Sequence, residues 1–323
     1  MGSTTITSDV SVQRRHQLTL DCLLAMPPND LAQQDIALVN LLCAAGLPGN
    51  ENLDIPECLA TIDQWTEHVR AETENGFPRY LRNPDPNKGS EAVYRLWAVM
   101  HTLRNGIGLK HIMTAERNGD AAAVPTRVTG GPYRNTADSE AVFIHGLFGP
   151  RRIGSCSSLP VLFAAVGRRL GYPVKLVLSV QHIFNRWESS AESFNMDGCA
   201  KFISGDAYEH YFDWPRKWKE SERACGVFLR PATPREELAS FIFMRSIVFS
   251  ANLEFDEAYR TCKIASELSP KHPGYKDELD VIEGYKITKQ FRSCQSWLQL
   301  PECCGSFRVP NLYSIILPPE SST

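Results

Sequence analysis

The segment from Phe143 to Trp214 constrains the fold most strongly, because it contains one sharply bounded helix followed by short strands. The helix is predicted in SCSSLPVLFAAVGRRLGYP, where serines and an early proline precede apolar residues at helical spacing, and Gly171 and Pro173 end the pattern. Three strands are predicted after it, in VKLVLSV, HIFNRWES and SFNMDG, joined by short connections. The segment therefore predicts an α+β fold in which a helix precedes an antiparallel meander.

Cys156 lies at the predicted start of this helix. Thiol catalysis needs a thiolate, and the unpaired N–H groups and macrodipole of a helix N-terminus favour negative charge on sulfur. The same N–H groups can receive the oxyanion of a tetrahedral intermediate. Position therefore makes Cys156 a candidate nucleophile, although a buried cysteine more commonly serves as an inert apolar residue.

Two residues of the meander could complete a catalytic group. His182 begins the second strand, where a sheet packed on the helix would bring an imidazole to the sulfur. Asp197 follows in FNMDG and could accept the other ring N–H, which would fix the tautomer and stabilise the imidazolium. The alternatives are a structural hydrogen bond for His182 and turn formation for Asp197. His145 is interpreted as a core or loop residue.

These motifs resemble a known family. HGLFGPRRIGSCSSLPVLFAAVGRRLGYPVKLV, QHIFNRW and FNMDG together are similar to the transglutaminase-like superfamily, in particular to its SirB-like branch. The upstream stretch AAGLPGNENLDIPECLATIDQWTEHV resembles the helical lead-in of that branch, and the helices after Thr233 resemble its usual companion. The resemblance extends from about Leu31 to Pro270.

The resemblance implies a papain-like α+β fold, in which a nucleophile helix packs on an antiparallel sheet. It also implies roles: Cys156 as nucleophile, His182 as general base and then acid, and Asp197 as the orienting carboxylate. Many SirB-like members lack the nucleophile, so its retention here favours an enzyme. One departure concerns the third position, because FNMDG runs on into GCAKF without the usual proline turn, and Asn195 is a possible substitute. The oxyanion-hole side chain stays unassigned.

The pattern along the chain predicts five parts. They are a disordered arm over 1–16, a helical lead-in over 17–110, a transglutaminase-like catalytic core over 111–232, a tetratricopeptide-like helical hairpin over 233–286 and an irregular tail over 287–323. Within the lead-in, helical spacing is found over 18–45, 55–72 and 91–103, and the proline-rich stretch 77–90 is predicted to be irregular. Residues 115–138 are predicted to form a long loop.

Composition excludes several classes of protein. The formal net charge is -3 without a long basic run, which argues against nucleic acid as a partner. No stretch is apolar enough for a membrane helix, and Asp21 interrupts the only early apolar segment, so we expect neither membrane association nor an export signal. The ten cysteines are irregularly spaced, which favours reduced thiols, a cytoplasmic location and no structural zinc.

Two functions are consistent with these observations. The first is a cysteine-dependent acyl-transfer enzyme that acts on an amide of a protein or peptide as a peptidase, deamidase or transglutaminase, with no cofactor and no metal. The second is a catalytically silent transglutaminase-fold protein that binds a protein partner through the hairpin at 233–286. Thiol reactivity of Cys156 would distinguish them.

Overall fold

A computed structural model describes residues 18–48, 50, 52–84, 89–112, 115, 136–198, 202–204, 209–214 and 216–298. The predicted arm over 1–16, nearly all of the loop predicted over 115–138 and the last part of the tail lie outside these residues. The helices are α1 (Leu20–Ala25), α2 (Pro28–Leu31), α3 (Ile36–Ala44), α4 (Ile55–Arg82), α5 (Glu91–His101), α6 (Leu159–Arg169), α7 (Glu209–Asp213), α8 (Glu220–Ala224), α9 (Pro234–Ala251), α10 (Phe255–Leu268) and α11 (Pro273–Leu298). The strands are β1 (Lys110–His111), β2 (Ile153–Gly154), β3 (Val174–Ser179), β4 (His182–Glu188), β5 (Ser193–Asp197) and β6 (Phe202–Ser204). The prediction of a mixed α+β chain is confirmed.

The N-terminal helices begin at polar capping residues. Asp35, Asp54 and Ser90 accept hydrogen bonds from first-turn N–H groups of α3, α4 and α5, which satisfies donors that a helix start leaves unpaired. The helical region predicted over 18–45 is divided into α1, α2 and α3. Pro27 and Pro28 separate α1 from α2, because neither can donate a hydrogen bond inside a continuous helix, and Asp35 starts α3 as its N-cap. Every residue of α3 is buried, so this short helix is a central part of the core.

The irregular connection predicted over 77–90 is wrong in its first half, because α4 continues through Pro78 to Arg82. A proline inside a helix loses one hydrogen bond. Here aromatic packing holds the last turns: the rings of Tyr80 and Tyr94 stack with centroids 4.8 Å apart, and the Tyr94 hydroxyl donates to the carbonyl of Thr73 at 2.6 Å. These contacts join α4 to α5, and they cannot be predicted from the residues next to Pro78 in the sequence.

The main sheet is antiparallel with the order β3-β4-β5-β6, so the three predicted strands are joined by a fourth that was not predicted. Val180 and Gln181 form the two-residue loop between β3 and β4, and Ser179 pairs directly with His182 across it. A separate pair of short parallel strands, β1 and β2, precedes α6.

The two faces of this sheet are covered by different layers. Ile183, Trp187 and Met196 belong to the large core that also contains α6, and the side-chain amide of Asn185 donates to the carbonyl of Pro160 in that helix at 2.8 Å. Phe184 lies on the opposite face, in a small aromatic cluster with α7. Because side chains alternate along a strand, His182 shares the face of Phe184.

The C-terminal helices attach to the core through the edge of β3. The N–H groups of Leu229 and Ala232 donate to carbonyls of β3, which covers that edge. Helices α9 and α10 form the predicted hairpin, and α11 packs on α10 as a third helix. Since α11 runs to Leu298, the irregular tail predicted from residue 287 begins no earlier than 299, and those later residues lie outside the described part.

Candidate active site

Cys156 lies in a turn that leads into α6. The N–H groups of Ser158 and Leu159 both donate to the carbonyl of Ser155, so one turn closes before the regular helix begins at Leu159. The regular helix therefore begins later than predicted. Ser158 is its N-cap, and Cys156 stands two residues ahead of Ser158. The thiol is half-buried, which leaves it open to a reactant.

The β3–β4 hairpin brings His182 to this turn. Gln181 precedes the histidine and has a positive φ of 57°, an uncommon conformation for a residue with a side chain. Its carbonyl oxygen lies 3.9 Å from Sγ of Cys156, which donates to it as a thiol. The imidazole therefore lies at the hairpin end of the sheet, next to the turn that contains Cys156.

Asp197 orients the imidazole of His182. The two residues lie on β4 and β5, and Nε2 of the ring is 2.7 Å from Oδ2 of the carboxylate, with both side chains buried. The other ring nitrogen, Nδ1, is buried and has no hydrogen-bond partner among the described residues. The structure thus leaves one nitrogen of the ring available on the side of the ring away from the carboxylate.

The surroundings favour the protonated imidazole. Burial by itself lowers the pKa of His182, but the hydrogen bond to Asp197 and the proximity of Cys156 outweigh burial and raise this pKa to about 9. A raised histidine pKa beside a thiol is the electrostatic condition for a thiolate–imidazolium pair. Cys156, His182 and Asp197 are therefore brought together as one group.

Asn195 does not replace the aspartate. Its side-chain oxygen accepts a hydrogen bond from Nε of Arg186 at 2.9 Å. Asn195 is paired with Arg186 in the sheet, so this hydrogen bond holds the amide away from His182, which lies at the other end of β4. Asp197 is followed by Gly198, where any Cβ would overlap the ring of Phe163 on α6. The glycine is thus required by packing against the helix, while the aspartate makes the hydrogen bond to His182.

Sequence reasoning missed two aromatic residues of the site. The indole of Trp214 meets the imidazole of His182 edge-on, with centroids 4.8 Å apart, and is 38% exposed. Tyr211 is buried, and its hydroxyl donates to Oδ2 of Asp197 at 3.3 Å. The aromatic-rich stretch YFDW was a signal in the sequence, but nothing local indicates that it folds over the histidine.

Four of the other described cysteines differ from Cys156 in exposure, whereas Cys225 is half-buried like it. Burial raises the pKa of Cys58 to about 11 and that of Cys43 and Cys262 to about 12, so these three thiols stay neutral at ordinary pH. Cys22 is exposed, and hydrogen bonds from Thr19 lower its pKa. Thiol reactivity is therefore expected at Cys22 on the surface as well as at the candidate nucleophile.

His145 has a structural position, as interpreted from the sequence. Its Nε2 lies 3.2 Å from the hydroxyl of Ser139, and burial lowers its pKa to about 4, so it stays neutral. In the described part of the chain, no group of three or more His, Cys, Asp or Glu side chains has the spacing of a metal site. Cys199, Cys303 and Cys304 lie outside that part.

Comparison of the chain with protein-family models, with curated proteins and with solved structures found no match. Among the helices over the described ranges, none combines the length and the apolar character that crossing a membrane requires. The proposed function therefore rests on the geometry of the site.

Proposed function

We propose that this protein is a cysteine acyl-transfer enzyme with a transglutaminase-like, papain-like core, in which Cys156, His182 and Asp197 act on an amide bond. One observation carries the proposal: Asp197 holds Nε2 of His182 at 2.7 Å, while Nδ1 of the same ring is unpaired and Cys156 is close enough to raise the pKa of the imidazole. This is the division of roles that a nucleophile, a base and an orienting group require.

The first step is proton transfer within the pair. The thiol proton of Cys156 moves to Nδ1 of His182, which leaves a thiolate beside an imidazolium whose opposite N–H donates to Asp197. In the resting geometry the thiol donates to the carbonyl of Gln181 at 3.9 Å, so a rotation of the side chain accompanies this transfer. Burial of His182 and Asp197 keeps water from weakening their interaction.

Acylation follows. The thiolate attacks the carbonyl carbon of the amide, and the carbonyl oxygen becomes an oxyanion. The N–H groups of Ser157, Ser158 and Leu159 already donate to Ser155, so the proposed donor to the oxyanion is the backbone N–H of Cys156. The C–N bond then breaks, the amine takes the proton from Nδ1 of His182, and a thioester on Cys156 remains. The imidazole is now neutral and can act as a base.

Deacylation returns the free enzyme. A water molecule or a second amine gives a proton to His182 and attacks the thioester, which releases a carboxylic acid or a new amide and restores the thiol. A hydrolase and a transglutaminase differ here only in the acceptor. The exposed edge of Trp214 lies over the imidazole, where it would contact whichever acceptor approaches.

Site-specific alkylation tests the proposal. Purified full-length protein is treated with iodoacetamide at pH 6, and the labelled cysteines are identified by peptide mass spectrometry. We expect Cys156 to be modified well ahead of Cys43, Cys58 and Cys262, because its thiol is half-buried beside an imidazole that can accept its proton, whereas the other three thiols are buried. Cys22 serves as an internal reference, since its exposure does not depend on the histidine.

Replacement of the histidine makes the test specific. His182→Ala should slow modification of Cys156 at pH 6 about tenfold or more while leaving Cys22 unchanged, because the thiol loses its proton acceptor. Equal labelling of Cys156 in wild type and His182→Ala would refute the pair. It would instead favour the silent protein that binds a partner through its C-terminal helices.

A further inference from the structure

Tyr211 shares one carboxylate oxygen with the imidazole. Oδ2 of Asp197 lies 2.7 Å from Nε2 of His182 and accepts a second hydrogen bond from the Tyr211 hydroxyl at 3.3 Å. We infer that Tyr211 is a positioning residue, which holds this oxygen in place and limits how strongly it stabilises the imidazolium. The catalytic meaning of the inference rests on the proposed function.

Packing fixes the Tyr211 ring independently of its hydroxyl. The ring comes from α7, is 1% exposed, and stacks on Phe184 with centroids 4.6 Å apart and planes 6° from parallel. It also stacks on His182 at 6.0 Å. Phenylalanine would fill the same space, so the contribution of the hydroxyl can be separated from that of the ring.

The Tyr211 hydroxyl is a neutral donor, and this determines whether it raises or lowers the pKa of His182. A phenol O–H is a neutral donor, so it donates to the carboxylate without neutralising it. The donated hydrogen bond lowers the basicity of Oδ2, and the oxygen then holds the imidazole proton less tightly. Removing the hydroxyl should therefore make His182 harder to deprotonate.

The described groups around the imidazole allow this reading. The titratable side chains that face it are Cys156 from the turn before α6, Asp197 from β5 and Tyr211 from α7. Phe184 and Trp214 also contact the ring and carry no charge. A change at the Tyr211 hydroxyl therefore acts on the imidazole through Asp197.

The test measures the titration of His182 directly. Protein with isotopically labelled histidine is titrated by NMR between pH 5 and 11, and the His182 signal is assigned with His182→Ala. In Tyr211→Phe we expect the midpoint to rise by about one pH unit, from the loss of a charge-assisted hydrogen bond of modest strength.

A matched control removes another buried hydroxyl. Tyr94→Phe deletes the hydrogen bond to the carbonyl of Thr73 and should leave the His182 midpoint unchanged. An unchanged or lowered midpoint in Tyr211→Phe would overturn the inference. The NMR measurement does not need enzyme activity. If the His182 midpoint rises in Tyr211→Phe but Cys156 proves unreactive, the proposed function is refuted and the role of Tyr211 stands. A reactive Cys156 with an unmoved midpoint would refute only the role of Tyr211.

Discussion

Replacing Asp197 by asparagine should change how the stability of the protein depends on pH. His182 has a pKa of about 9 in the folded protein, compared with the ordinary value near 6.5 in an unfolded chain. Because the folded value is the higher one, the stabilisation is fully present below pH 6.5 and is lost as the pH rises through 9. At 1.36 kcal/mol per pKa unit, the loss is on the order of 3 kcal/mol.

Asp197 supplies a large part of this stabilisation. A hydrogen bond to a charged group contributes roughly 1.5–3 kcal/mol. In Asp197→Asn, the fall in the free energy of unfolding as the pH rises through 9 should therefore be half as large as in wild type, or smaller. Cys156 accounts for a further part, and the double variant Asp197→Asn/Cys156→Ala should show almost none of it.

Urea unfolding at pH 6.0 and pH 9.5, followed by circular dichroism, measures the effect. Buried thiols such as Cys43 also lose stability at alkaline pH, but they do so equally in every variant, so the differences between variants are the informative quantity. Glu222→Gln is a matched control: it removes a buried carboxylate paired with Arg216, whose lowered pKa affects stability only in acid. Parallel pH dependence in wild type and Asp197→Asn would show that the carboxylate does not hold the imidazolium.

Two packing predictions concern the support of the site. Gly198→Ala should destabilise the protein by about 1–3 kcal/mol in urea unfolding, because the added Cβ overlaps the Phe163 ring. Adding Phe163→Leu to this variant should recover part of the lost stability, and equal stability of Gly198→Ala and wild type would contradict this packing. Glu237→Gln should cost about 1–3 kcal/mol, because it removes the negative charge and one of the two oxygens that accept hydrogen bonds from Arg168 and tie α9 to α6. A double-mutant cycle with Arg168→Gln checks the pair, and additive losses would show that the two side chains are not coupled.

Local signals were sufficient for most elements around the site. The helix from Leu159 was predicted from its apolar spacing and from the terminators Gly171 and Pro173, and the three predicted strands are observed. These signals are local because capping, turn formation and side-chain periodicity involve residues close in sequence. The continuation of α4 through Pro78 was missed for the opposite reason, since the stabilising ring of Tyr94 comes from another helix.

The sequence by itself determined the chemical types and their order: a cysteine before a helix, a histidine at the start of a strand and an aspartate at the end of another. Tertiary structure alone decided that Asp197 and not Asn195 meets the imidazole, that the thiol approaches from the hairpin end, and that Tyr211 and Trp214 surround the ring. The physical reason is that strand register and the folding of α7 over the sheet depend on contacts between distant segments. Periodicity and spacing along the chain carry no information about such contacts.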